Sequence, residues 1–151
     1  MKKIIGLLLM LPLMGAEPAG YKYWSAAELK SLAKPLSNKA DAKTSSENLG
    51  GFGAADHALM IHRDGSGLAE QHEMEADLMV IVSGNGELIV GGTMQGGKTT
   101  AAGELRGPSI DGGVHQKLSP GDIVHVPPKT AHQVLLDPGT QITYFVLKVK
   151  E

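Results

Sequence analysis

The feature that most restricts this chain is the apolar run D-L-M-V-I-V at residues 77–82. Ser83-Gly84-Asn85-Gly86 stops it, and Glu87-Leu88-Ile89-Val90 answers it. Six residues rich in β-branched side chains are too few for a buried helix, and they are apolar on both faces. The run therefore reads as a strand covered on both sides, with a glycine hairpin turn and a return strand. Similar runs occur at residues 57–62, 68–73, 114–118, 123–126, 131–136 and 141–149. Turn signals separate them, among them Arg63 to Gly67, Ser119-Pro120-Gly121-Asp122, Pro127-Pro128-Lys129-Thr130 and Asp137-Pro138-Gly139. Such spacing predicts an all-β sandwich or closed barrel. The strand-turn-strand units around Gly84 and Pro127 look like two related halves.

Three stretches depart from that pattern. Ser25-Ala26-Ala27-Glu28 has the form of a capping box, which predicts a short N-terminal helix over residues 26–34, ending before Pro35. Residues 36–53 are polar and glycine-rich without periodicity and read as a surface loop. Residues 91–113 form a long excursion carrying Glu104-Leu105-Arg106.

The first 16 residues carry Lys2, Lys3, the apolar stretch 4–14 and then Gly15-Ala16. They read as a secretory signal peptide, so the chain is expected in the periplasm or outside the cell, with no membrane attachment after cleavage. With no cysteine, the 151-residue chain has neither a disulfide nor a lipidated thiol. Cleavage would leave 12 basic against 16 acidic residues. Nothing basic clusters enough for nucleic acid, so the expected partner is a small molecule.

The chemistry concentrates between Glu70 and Asp77, where four carboxylates surround one imidazole. Glu70 and His72 are two apart on a strand and share a face. Asp77 can return beside them in the next strand, and His132 opens a strand after the Pro-Pro turn. Two imidazoles with one or two carboxylates suit a divalent first-row metal. Reading the ligand position one residue later would put Glu73 there, with Gln71 as its pair.

The stretch Glu70-x-His72-x4-Asp77-x6-Gly84 resembles the first motif of the cupin superfamily, H-x-H-x(3,4)-E-x6-G. Gly121-x5-Pro127-x-Lys129-x2-His132 is similar to the second, G-x5-P-x-G-x2-H-x3-N, with Leu136 in place of the final Asn. Here Glu70 stands for the first histidine, Asp77 for the glutamate and Lys129 for a glycine.

The resemblance implies a double-stranded β-helix, or jelly-roll barrel, over residues 55–151, preceded by the helix and loop of residues 17–54. It implies a metal held by His72, His132, Glu70 and Asp77, leaving two positions of an octahedral ion open. Mn or Fe is favoured by the extra carboxylate, with Zn or Ni also allowed. Glu70 or Asp77 is alternatively a catalytic base. Arg106 and Lys129 are expected to clamp an anionic substrate, and His125 to support His132 from the neighbouring strand. The family implies oxygenase, lyase or isomerase chemistry, or a non-catalytic binding module with an absent or structural metal, in either case often as a homodimer. Gly84, Gly86 and Gly121 are expected at positive-φ turn positions.

Overall fold

The structure, a computed structural model, describes residues 17–38, 43–53 and 56–151. The signal peptide read at residues 1–16 lies outside the described residues. Helix α1 (Ala26–Ser37) is followed by β1 (Thr44–Gly51), β2 (His57–Arg63), β3 (Ala69–His72) and β4 (Glu75–Gly84). Next come β5 (Gly86–Val90), β6 (Thr93–Gln95), β7 (Lys98–Ala101), β8 (Glu104–Gly107) and β9 (Ser109–Asp111). The chain continues through β10 (Val114–Leu118), β11 (Ile123–Val126), β12 (His132–Leu135) and β13 (Ile142–Lys150).

These strands make a five-stranded sheet in the order β1-β2-β13-β4-β11, a six-stranded sheet in the order β10-β5-β12-β3-β8-β7, and a small β6-β9 ribbon. Every pairing is antiparallel. The turn at Gly84 to Gly86 is not the expected hairpin, because β4 and β5 lie in different sheets. The Pro127-Pro128 turn likewise carries the chain from β11 in one sheet to β12 in the other. The two units pair with each other instead, β4 with β11 and β5 with β12. Two antiparallel strand pairs thus wind together as a double-stranded β-helix.

Glycine is needed at the crossing for a steric reason. Gly84 has φ +76°, and a Cβ there would sit 1.9 Å from the carbonyl oxygen of Gln141. Gly121 also has positive φ, at +95°, but Gly86 does not. Gly86 is instead pressed against Leu135 and Leu136.

The core between the sheets is filled by alternate residues of each strand, including Met79, Ile81, Leu88, Val134, Tyr144 and Val146. On β4 the other alternation, Leu78, Val80 and Val82, is half-buried. Helix α1 contacts β1, β2 and β4 of the five-stranded sheet, and Met60 and Ala58 of β2 are fully buried. The Ser25–Glu28 capping box forms in both directions. The helix runs on through Pro35, past its expected end. An interior proline costs about 3 kcal/mol, but the added turn buries Leu36 to 1 % exposure. That burial contributes about 1.5–3 kcal/mol, and the buried hydrogen bond from Ser45 Oγ to the Leu36 carbonyl at 2.9 Å adds about 1 kcal/mol, so together they offset the local stop.

The expected loop at residues 36–53 contains β1, an edge strand whose side chains are mostly exposed. Its polar, non-alternating sequence follows from that exposure, and a bulge falls between Asn48 and Gly50. No helix among the described residues is long and apolar enough to cross a membrane.

Candidate metal centre

Both sheets contribute to one cluster of charged groups in the barrel. From the six-stranded sheet, β3 presents Glu70 and His72. Strand β12 sets His132 opposite Glu70, while β8 sets Arg106 opposite Glu70 and Glu104 opposite His72. From the five-stranded sheet come Asp77 of β4, Lys148 directly across from it on β13, Tyr144 of β13 and Arg63 of β2. Arg63, expected in a turn, ends its strand pointing inward.

The two imidazoles have defined tautomers. His72 Nδ1 lies 2.7 Å from Glu104 Oε1 and His132 Nδ1 lies 3.1 Å from the carbonyl of Thr130. Each partner only accepts, so each Nδ1 carries the proton and each Nε2 lone pair faces the interior. Asp77 Oδ2 lies 3.5 Å from His72 Nε2 and 3.4 Å from His132 Nε2. Glu70 Oε2 is 3.8 Å from His72 Nε2, and ligand atoms of Glu70, His72 and His132 all fall within 4.8 Å of one another. His132 Nε2 is buried and, among the described residues, has no hydrogen-bond partner. His72 Nε2 accepts from Lys148 Nζ at 2.8 Å, and the same ammonium donates to Asp77 Oδ1 at 2.6 Å.

The acids are heavily compensated. Arg63 Nη2 meets Glu70 Oε1 at 3.1 Å, and Arg106 bridges Glu70 and Glu104. Arg63 also donates to Tyr144 Oη at 2.9 Å. Gly67 leaves room for that guanidinium, since a Cβ there would fall 2.5 Å from Arg63 Nη1.

Burial works to raise the Asp77 carboxyl, but the Lys148 ammonium bonded to its Oδ1 outweighs it and holds it far below the usual range. Burial opposes ionisation of Glu70 as well, and the charges of Arg106 and Arg63 overcome it and lower its pKa. Burial also disfavours the charged form of His72, but Asp77 and Glu104 prevail and raise its pKa despite Lys148.

The space left between these groups is about 20 Å³, lined by Arg63, Glu70, Asp77, His132, Tyr144 and Lys148 among others. That is room for about one water or one ion. A larger cavity of about 530 Å³ lies by Asn85, Glu87, Lys117 and Leu136. It opens at the Gly86 end of β5, whereas His132 pairs with Val90 at the other end.

Neither a protein-family model nor a curated protein matches the sequence. Solved structures do match. A double-stranded β-helix protein from Klebsiella pneumoniae superposes with a TM-score of 0.57 at 12% identity, over 86% of this chain and 90% of that one. A cupin-2 domain from Rhodospirillum rubrum gives 0.52 at 17% identity over 72% of this chain. The chain spans only 61% of that protein's length. A DMSP lyase from Ruegeria pomeroyi gives 0.52 at 16% identity, over 76% of this chain and 50% of that one. The chain has the cupin fold.

Within this cupin barrel the four expected ligands, Glu70, His72, Asp77 and His132, do come together. Glu73 is exposed and hydrogen-bonded by Gln71, so the register that would make it a ligand does not occur. Glu70 is paired with Arg63 and Arg106, and Asp77 with Lys148. Arg106 does not stand free over the mouth, being occupied by Glu70 and Glu104. Lys129 is exposed at φ +61°, and its backbone N–H donates to the carbonyl of His72. That conformation explains why the cupin motif carries glycine there. His125 does not support His132; it lies exposed on β11 opposite Leu78. Glu104 and the Thr130 carbonyl orient the two imidazoles instead.

Sequence reasoning missed Glu104, Arg63, Tyr144 and Lys148. Only the period of two along β13, through Ile142, Tyr144, Val146 and Lys148, signalled that a lysine points inward.

Proposed function

We propose that the chain is an exported cupin that binds one divalent first-row metal and acts on a small polar or anionic molecule. The observation that carries this reading is the buried, unpartnered Nε2 of His132, aimed at Asp77 with its tautomer fixed by Thr130. An orphaned buried nitrogen costs about 1–3 kcal/mol, and a metal ion would satisfy it. His72, His132 and Glu70, whose donor atoms lie within 4.8 Å of one another, would hold the ion, with Asp77 3.4–3.5 Å from both imidazoles. Nitrogen and carboxylate donors together favour Mn(II) or Fe(II). Such an ion would act as a Lewis acid toward an oxygen-bearing ligand.

The protein's own groups prepare the place. Glu104 and Thr130 fix the imidazoles, Arg63 and Arg106 keep Glu70 ionised and immobile, and the packed core around Tyr144 and Val146 excludes bulk water.

A non-catalytic module with a structural metal is the second reading. The 20 Å³ space favours it, since it fits an ion but no organic molecule unless side chains move.

Untagged protein, stripped by chelator and re-equilibrated with Mn, Fe, Ni or Zn, should retain about one equivalent by elemental analysis. His72→Ala and His132→Ala should retain none. Wild type that binds no metal sinks both forms of the proposal. Oxygen uptake and product analysis with small acids, diketones and phenols separate the enzyme from the module. Intact mass of exported protein should begin at Glu17; a retained Met1 refutes export by cleavage.

A further inference from the structure

Lys148 stands where a metal would draw on this centre. Its ammonium is 2.8 Å from His72 Nε2 and 2.6 Å from Asp77 Oδ1, and Lys148 and Asp77 both line the small cavity. The side chain is 11 % exposed and its partner carboxylate 4 % exposed, so water screens the pair little.

The charges around it already balance. Glu70, Asp77 and Glu104 face Arg63, Arg106 and Lys148, and each acid has a cationic partner. A divalent ion entering beside the ammonium would meet uncompensated repulsion at close range. It would also compete for one lone pair on His72 Nε2, which can serve a proton donor or a metal but not both.

We propose that Lys148 is an internal counter-cation that competes with metal for His72 and Asp77 and must swing away for the ion to bind. The inference rests on the metal-binding reading above and adds that affinity is set by this residue, which no metal-ligand motif contains. The route out is short. Lys148 lies two residues before exposed Lys150 at the end of β13, and a flexible four-carbon stem can carry the ammonium toward the rim. Arg63 and Arg106 are held by Glu70 and Glu104 and take no part in the contest for His72 Nε2 and Asp77 Oδ1.

The test is Mn(II) titration of chelator-treated full-length mature protein by calorimetry, comparing wild type, Lys148→Met and Lys148→Arg. Lys148→Met should bind one Mn(II) at least about tenfold more tightly than wild type, because a close like charge has gone. Lys148→Arg keeps the charge and should not gain. In wild type itself, brief acetic anhydride treatment read by peptide mass spectrometry should modify Lys148 more with Mn(II) bound than without.

Equal or weaker binding by Lys148→Met, with wild type binding one Mn(II), overturns the inference and leaves the centre intact. Lysine reactivity that stays level or falls on Mn(II) binding does the same, and decides the matter alone if Lys148→Met does not fold. No binding by either protein overturns the metal reading, and the inference with it.

Discussion

The Lys148–Asp77 pair makes a quantitative demand on stability that is separate from metal binding. Unit charges 2.6 Å apart attract by about 6 kcal/mol at an effective dielectric of about 20, and desolvation cancels much of that. Breaking the pair from one side is another matter, because it strands the remaining charge in a site only 4–11 % exposed. Lys148→Met and Asp77→Asn should each cost about 3–5 kcal/mol. The double variant strands nothing and should lie within about 2 kcal/mol of wild type, leaving a coupling of about 4 kcal/mol or more. Urea unfolding in chelator, with unchanged slopes, measures all four corners of the cycle. Single costs below about 1 kcal/mol, or additivity within about 0.5 kcal/mol, would show that the pair is not buried as described.

Two further outcomes follow from the same cluster. Glu104→Gln weakens the acceptor that fixes His72 Nδ1, so metal affinity should drop about 10–100-fold with the ligands intact; an unchanged affinity by calorimetry would remove Glu104 from the centre. Asp77 and Glu70 have folded pKa values below their ordinary 3.8 and 4.5, so the unfolded chain binds protons more readily. The stability they supply is full above about pH 5 and is lost as pH falls through the folded values. The urea midpoint should decline from about pH 5 to about pH 3, with a shallower decline in Asp77→Asn. A midpoint that rises on acidification refutes the assignment.

How much of this was legible depends on the range over which each residue acts. Gly84, Gly121, His72 and His132 form a spaced pattern because local turn geometry and strand direction fix them, and so the barrel could be read. The Asn85-Gly86 turn looked like a hairpin because its local chemistry is the same whether the strands beyond pair together or part into two sheets. Strand β1 was hidden because an exposed edge imposes no apolar alternation. Glu104 and Arg106 reach the centre only through the register of β8 on β3, which no local signal encodes. Lys148 was readable as inward-facing, but its partner lies 71 residues away across the sheet.

Strand order has a consequence for how the barrel comes into being. β13 lies between β2 and β4 in the middle of its sheet, yet follows every other described strand in the chain. A growing polypeptide can form the β4–β11 and β5–β12 ladders early. It then holds a sheet with an open seam and Asp77 without its lysine until residues 142–150 arrive. Contacts of such long range form slowly, so closure of the seam falls to a single late insertion. The nascent chain would stay pliable during synthesis and set, core and counter-charge together, in one step.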